Sequence, residues 1–251
     1  MSAVHLVRPD EGIVGPLRIL AGAAQTGGRY FALEWETLPS SPDPRSFHVH
    51  EAESESEYVV SGEREISCGD ETWRGRAGFF VLVPPRARHT MRTVDDAPSR
   101  WLHFFAPAGL ERFFVERERM KAAGRGVAEI AKVAARFGVG DIASRPPERE
   151  PFVRPSASDE ATRRVVVSGE ETSGAYALVE TTDLRADQHV HAGQDEAFYV
   201  IAGELILELD GDRIVAPARS FVIVPRGTNR RHQLGPASRC LAIFSPGVPG
   251  H

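Results

Sequence analysis

The chain has 251 residues, of which 41% are hydrophobic and 26% charged, with a formal net charge of -5. That size allows one large or two ordinary domains, and that composition excludes a disordered or membrane-embedded chain. With lysine and arginine spread along a slightly acidic chain there is no basic footprint, so no nucleic-acid partner is expected. No apolar run approaches the ~20 residues of a membrane span, and Met1 to Asp10 carries no apolar signal-peptide core. The expectation is a cytoplasmic protein with no membrane partner. Cys68 and Cys240 fall at non-equivalent positions, which argues against a disulfide framework and for two buried small hydrophobes.

In chain order, Arg29 to Leu38 reads as a strand, closed by the Pro-Ser-Ser-Pro-Asp-Pro run of 39 to 44. Phe47 to His50 reopens as extended chain. Tyr58-Val59-Val60 runs into a turn at Ser61-Gly62-Glu63, and Glu65 to Ser67, Glu71 to Trp73, Phe79 to Val83 and Arg100 to Phe105 continue as short strands. Such a series predicts an all-β sandwich or barrel. Ala108 to Ala123 and Val127 to Phe137 then carry apolar residues at helical spacing, with Gly124-Arg125-Gly126 between them and Gly138 as a stop. These two amphipathic helices are expected to pack on a neighbouring barrel. Ser144 to Pro151 is Pro-rich and charged, a semi-rigid linker. Beyond it Val165 to Val167, Tyr176 to Glu180, Ala197 to Ile201, Leu205 to Leu209 and Phe221 to Val224 repeat the strand series, with a hairpin turn at Asp210-Gly211.

One pattern occurs twice. His48-Val49-His50 is followed by Glu55 and Gly62, and His189-Val190-His191 by Glu196 and Gly203, displaced by 141 positions. The repetition predicts a duplicated fold of two domains of roughly 100 residues each. Side chains alternate along a strand, so the two histidines of each pair share a face. His89 arrives on another strand, just after Val83-Pro84-Pro85-Arg86. Three histidines and a carboxylate form a mixed N/O donor set suited to a divalent transition metal (iron, nickel, manganese, cobalt, copper or zinc), one or two per chain. In the second copy the same displacement puts Arg230 opposite His89. His232, two residues further along the same strand face, is the alternative fourth ligand. Otherwise the second set has three ligands, and Arg230 projects into the cavity as a cation for an acidic group. Trp35, Phe80, Met91, Trp101 and Phe104 are candidates for an apolar cavity lining, core packing being the plainer reading. His103, on a strand beside Trp101, reads as a core or surface histidine, with a supporting place behind the metal ligands as the alternative.

His48-x-His50-x4-Glu55-x6-Gly62, followed by Gly78-x5-Pro84-x-Arg86-x2-His89, resembles the two motifs of the cupin superfamily, a jelly-roll or double-stranded β-helix barrel. His189-x-His191-x4-Glu196-x6-Gly203 with Phe221 to Gly227 resembles the second barrel of a bicupin. Within the superfamily, residues 196–204, Phe244-Ser245-Pro246-Gly247 and the segment from Ala108 to Phe114 resemble the quercetin 2,3-dioxygenase-like cupins.

The resemblance implies a mainly β chain with an N-terminal barrel over 1–107, a helical connector and Pro-rich linker over 108–150, and a C-terminal barrel over 151–251. It implies metal ligands at His48, His50, Glu55 and His89, and at His189, His191, Glu196 and His232, with Glu55 as general base. The implied activity is that of a metal-dependent dioxygenase on an enolisable aromatic, flavonol- or diketone-like, small-molecule substrate. A non-oxidative metal-dependent cyclase or isomerase and a non-catalytic small-molecule-binding bicupin stay open, as does assembly into a homo-oligomer. The chain departs from the family pattern at Arg86, where a glycine is expected, and at Pro42, so distorted turns are expected there.

Overall fold

A computed structural model describes residues 4–37, 47–94, 98–156 and 162–248. Leu38 and the Pro-rich run of 39–44, Pro42 included, lie outside them. The chain forms two compact units, Ile13–Ala157 and the combination of Met1–Gly12 with Ser158–His251. Each is mainly β, a jelly roll of antiparallel sheets.

In the unit Ile13–Ala157 the larger sheet runs in the order Phe152–Arg154, Phe80–Val83, Ser54–Ser61, Ser99–Ala106, Phe31–Thr37, Leu17–Ala21, Ile13–Val14. The smaller sheet is His89–Thr93, Arg64–Cys68, Glu71–Gly75. Register decides which side chains face inward. Glu55, Glu57 and Val59 stand opposite Phe105, His103 and Trp101, and these last three stand opposite Phe31, Leu33 and Trp35. By alternation all nine share the inner face. Trp35, Trp101 and Met91 therefore point toward the interior. Phe80 and Phe104 lie on the opposite face of the sheet, against Phe152 and Tyr30.

The helices Glu111–Ala122 and Val127–Arg136 form where their apolar spacing predicts. They pack within this unit, Phe113, Phe114 and Val133 sharing a core with Leu17, Phe31 and Phe105. Phe114 lies 5.2 Å from Phe105 and 5.6 Å from Phe31, ring centre to ring centre. Burying one such phenylalanine contributes about 1.5–3 kcal/mol, so this helix is held by its aromatic face.

In the other unit the larger sheet runs His5–Val7, Phe221–Val224, Asp195–Ala202, Arg239–Ser245, Ala177–Thr181, Arg163–Val167. The smaller is Arg185–His189, Arg230–Leu234, Glu204–Leu209, Asp212–Pro217. Asp210 and Gly211 both have positive φ, at 50° and 99°, as a tight hairpin turn requires.

The unit boundaries differ from the sequence reading at both ends. Residues 1–12 group with the C-terminal barrel and residues up to Ala157, helices included, with the N-terminal one. The cause is edge pairing. His5–Val7 adds to Phe221–Val224, and Phe152–Arg154 adds to Phe80–Val83, the equivalent strand 141 positions earlier. Each three-residue strand covers the open edge that an unpaired strand would present.

Two motif positions owe their residue type to backbone geometry. Gly62 and Gly203 have φ of +79° and +70°, and a Cβ on either would meet a serine backbone, Ser99 or Ser238, at 2.8 Å. The repeated glycine is therefore a packing requirement. The expected distortion at Arg86 is absent: Arg86 itself takes φ 68°, and its N–H donates to His50 O at 2.7 Å. Its counterpart Gly227 has φ 81° and donates to His191 O in the same way. The left-handed backbone costs a non-glycine residue about 1–2 kcal/mol. Arg86 offsets this with side-chain bonds to Glu51 O and Glu148.

Both cysteines are buried free thiols, pushed up to about 11 for Cys68 and about 12 for Cys240, foremost by desolvation. Among the described residues no helix is long and apolar enough to cross a membrane.

Candidate metal centre

His48, His50, Glu55 and His89 come together in the unit Ile13–Ala157, with one donor atom from each within 4.8 Å of all the others. His48 is bridged to His89 by backbone hydrogen bonds, which places one imidazole pair across the strand gap. Glu55 Oε2 is the focus: it lies 2.9 Å from His50 Nε2, 2.9 Å from His89 Nε2 and 3.5 Å from His48 Nε2. His50, Glu55 and His89 are buried and His48 is half-buried.

The donor set fits a metal ion on two grounds. His89 Nδ1 is 2.8 Å from the Ala87 carbonyl. A carbonyl only accepts, so Nδ1 carries a proton and Nε2 is the nitrogen turned toward Glu55, 2.9 Å away, where it can ligate a metal. His50, for its part, is 3% exposed, yet its Nδ1 has no hydrogen-bond partner. A buried orphan of this kind marks a missing partner. Burial, above all, lowers the His50 pKa to about 4, so at neutral pH its ring offers a lone pair rather than a positive charge. For Glu55, burial alone would raise the carboxyl. The charge of His103 and the contacts of His48, His50 and His89 outweigh it and hold the group well below the usual carboxylate range.

A charged network that no motif announced lies beneath this cluster. His103 places Nδ1 3.3 Å from Glu55 Oε1 and Nε2 3.0 Å from Glu57 Oε2. Arg64 clasps Glu57 with Nε at 3.0 Å and Nη2 at 3.2 Å, bonds Thr93 Oγ1 at 2.8 Å, and stacks 3.6 Å over Trp101. Burial would raise the Glu57 carboxyl, but Arg64 and His103 reverse that and hold it down. The readable signal was Glu57 itself, a second carboxylate on the same strand face as Glu55.

The second cluster is built differently. His189, His191 and Glu196 converge within the same 4.8 Å limit, and His232 is not among them. Arg230 pairs with His189 as His89 pairs with His48. Its guanidinium is wholly buried, 3.3 Å from Glu196 Oε2, with further bonds to the carbonyls of Val224, Pro225 and Thr228. Of the two candidates for the fourth position, Arg230 stands at the register place of His89 and is the nearer to Glu196. His232 stands 3.8 Å from Glu196 and packs 5.1 Å from the Phe198 ring. Burial first, then the positive charges around it, lower the His232 pKa to about 4. The positions matching Glu57 and Arg64 are Phe198 and Leu205, members of an apolar core. The second interior thus lacks the polar network of the first.

Fold and site together define a duplicated jelly-roll protein with a His/Glu cluster in each barrel, four residues in the first and three in the second, where Arg230 lies beside the carboxylate. The chain belongs to the cupin domain family, whose model matches residues 35–105 and 176–243, one segment in each barrel. It is 21% identical to quercetin 2,3-dioxygenase of Bacillus subtilis (strain 168) over 240 residues, covering 82% of this chain and 71% of that protein. Among solved structures it resembles Lactobacillus farciminis oxalate decarboxylase in its formate complex, with TM-score 0.61 and 11% identity, covering 99% of this chain and 87% of that one. It also resembles the Bacillus subtilis oxalate decarboxylase whose Mn(II) centres have been studied, with TM-score 0.56 and 15% identity, covering 92% and 73%.

Proposed function

We propose that this bicupin is a metal-dependent dioxygenase for an enolisable aromatic, flavonol- or diketone-like, small molecule, and that its working centre is the cluster of His48, His50, Glu55 and His89. The observation that carries the reading is the convergence of three imidazole nitrogens on one buried carboxylate oxygen, repeated in the second barrel only with an arginine in the fourth place. The similarity to quercetin 2,3-dioxygenase over most of the chain supports the reaction class.

A divalent transition metal held by these four residues supplies a Lewis acid for an ionised substrate oxygen and redox chemistry toward dioxygen. The protein supplies the remainder. Glu55 is ionised at neutral pH and takes the enol proton on its carboxylate. His103, anchored by Glu57 and Arg64, stands at Glu55 Oε1 and holds that carboxylate in one orientation. Trp35, Trp101 and Phe105 on the inner sheet face and Phe114 from the helix give flat apolar walls that suit a planar substrate and exclude water. In the second barrel Arg230 neutralises Glu196, so that barrel has a structural part.

The test is oxygen uptake by iron-, nickel- and manganese-loaded protein with a flavonol such as quercetin. Uptake matched to substrate loss, and abolished by Glu55→Gln, is expected. No uptake with any of these metals overturns the reading, and turnover under strict anaerobiosis transfers the protein to the non-oxidative cyclases and isomerases.

A further inference from the structure

We propose that Arg117, on the helix Glu111–Ala122, is a specificity-determining residue that receives a carboxylate of the substrate, so that the preferred substrate is a planar enolisable molecule that also bears a carboxylate. This rests on the reading that the first barrel is the working one. Phe114, one helical turn before Arg117, packs on Phe31, Trp35 and Phe105, three residues of the inner sheet face. Arg117 follows it onto that face. Its guanidinium carbon lies 4.6 Å from the Phe114 ring centre and 5.1 Å from that of Trp35. The group also lies near enough to Glu55 to feel its charge.

Within this aromatic setting the donors outnumber the acceptors. Arg117 Nε donates to Glu118 Oε1 at 2.8 Å, but Nη2 is buried with no hydrogen-bond partner. The indole nitrogens of Trp35 and Trp101, whose rings stack at 6.2 Å, are also buried without partners. Trp101 is 4% exposed, so solvent does not satisfy it. Three orphaned donors on a barrel interior ask for acceptor oxygens from outside the chain. The charges agree. Glu118 is shared between Arg117 and Lys121, at 2.8 and 3.0 Å, so one carboxylate serves two cations. Arg64 and Arg18, buried cations of the same unit, are committed to Glu57 and Thr93 and to Glu34. A planar carboxylate matches the arginine fork, and the flanking rings match a conjugated or aromatic body.

Binding can be read on the intact metal-loaded protein by quenching of tryptophan emission, with calorimetry as a check. The probes are benzoate and 4-hydroxycinnamate, each against its primary amide, which keeps the shape and loses the charge. The acid is expected to bind roughly tenfold or more tightly than the amide, the range of a hydrogen bond to a charged group. Arg117→Gln should erase that preference and Arg117→Lys should keep part of it, with metal content per chain unchanged in both. Equal binding of acid and amide by the wild-type protein, no binding of either acid, or a preference that survives Arg117→Gln overturns the proposal. Metal bound without acid preference sinks this proposal alone. Acid preference without any bound metal sinks the metal-dependent reading and leaves Arg117 in place.

Discussion

Arg230→His should add a second tight metal centre to the chain. In the first barrel the fourth donor is the imidazole of His89. In the second a buried guanidinium sits 3.3 Å from the carboxylate oxygen that a metal would need. Two unit charges about 4 Å apart at an effective dielectric of ~20 interact by about 4 kcal/mol, so a dication sharing Glu196 with Arg230 meets roughly 8 kcal/mol of repulsion. Solvent at the half-exposed His189 and His191 screens part of this. Even a third of it corresponds to about a 100-fold loss of affinity. Calorimetric titration of the metal-free wild-type protein with manganese or zinc should show one tight site, and the Arg230→His variant two. The variant also frees the carbonyls of Val224, Pro225 and Thr228, so a small drop in melting temperature is expected. Two sites of similar affinity in the wild type, or one site in a folded Arg230→His variant, would refute the electrostatic argument.

Glu57→Gln breaks a buried ion pair that is also hydrogen-bonded to His103, and should cost about 3–5 kcal/mol in urea unfolding at pH 7. The Glu57 carboxyl is depressed in the folded state, so its stabilisation is complete above the ordinary glutamate value of 4.5 and fades as pH falls through the lower folded value. The gap between wild type and variant should therefore narrow below pH 4.5; a gap independent of pH would count against the pairing. Gly62→Ala puts a Cβ at 2.8 Å from the Ser99 backbone in a left-handed conformation. It should destabilise by about 1–3 kcal/mol or more, and a neutral result by thermal unfolding would remove the packing explanation of that motif glycine. Arg86→Gly relieves backbone strain but loses three side-chain bonds, to Pro146 O, Glu51 O and Glu148. Stability should change by less than about 1 kcal/mol, with metal affinity intact, and a large loss of metal would show that the turn depends on arginine.

The duplicated fold and the first donor set were legible because they rest on alternation and on a repeat at fixed displacement. His48, His50, Glu55 and His89 each carry a spacing signal, and the structure gathers all four. The fourth position of the second set was ambiguous for a physical reason. Arg230 and His232 share a strand face, and only pairing register, His189 against Arg230, decides between them. His103, Glu57 and Arg64 lie outside any motif; a Glu-x-Glu pair on one strand signals a face but not a partner 7 or 46 residues away. The pairing of His5–Val7 with Phe221–Val224 was not legible at all. Three residues hold no periodicity, and their partner strand lies at the far end of the chain.

The central claim is that one cluster, in the first barrel, holds the catalytic metal. Its most direct test is elemental analysis of metal per chain after loading and exhaustive dialysis, on the wild type, His89→Ala and His232→Ala. The account predicts close to one metal in the wild type, close to none in His89→Ala, and an unchanged value in His232→Ala. Two metals in the wild type, or a metal that survives His89→Ala and leaves with His232→Ala, would contradict it.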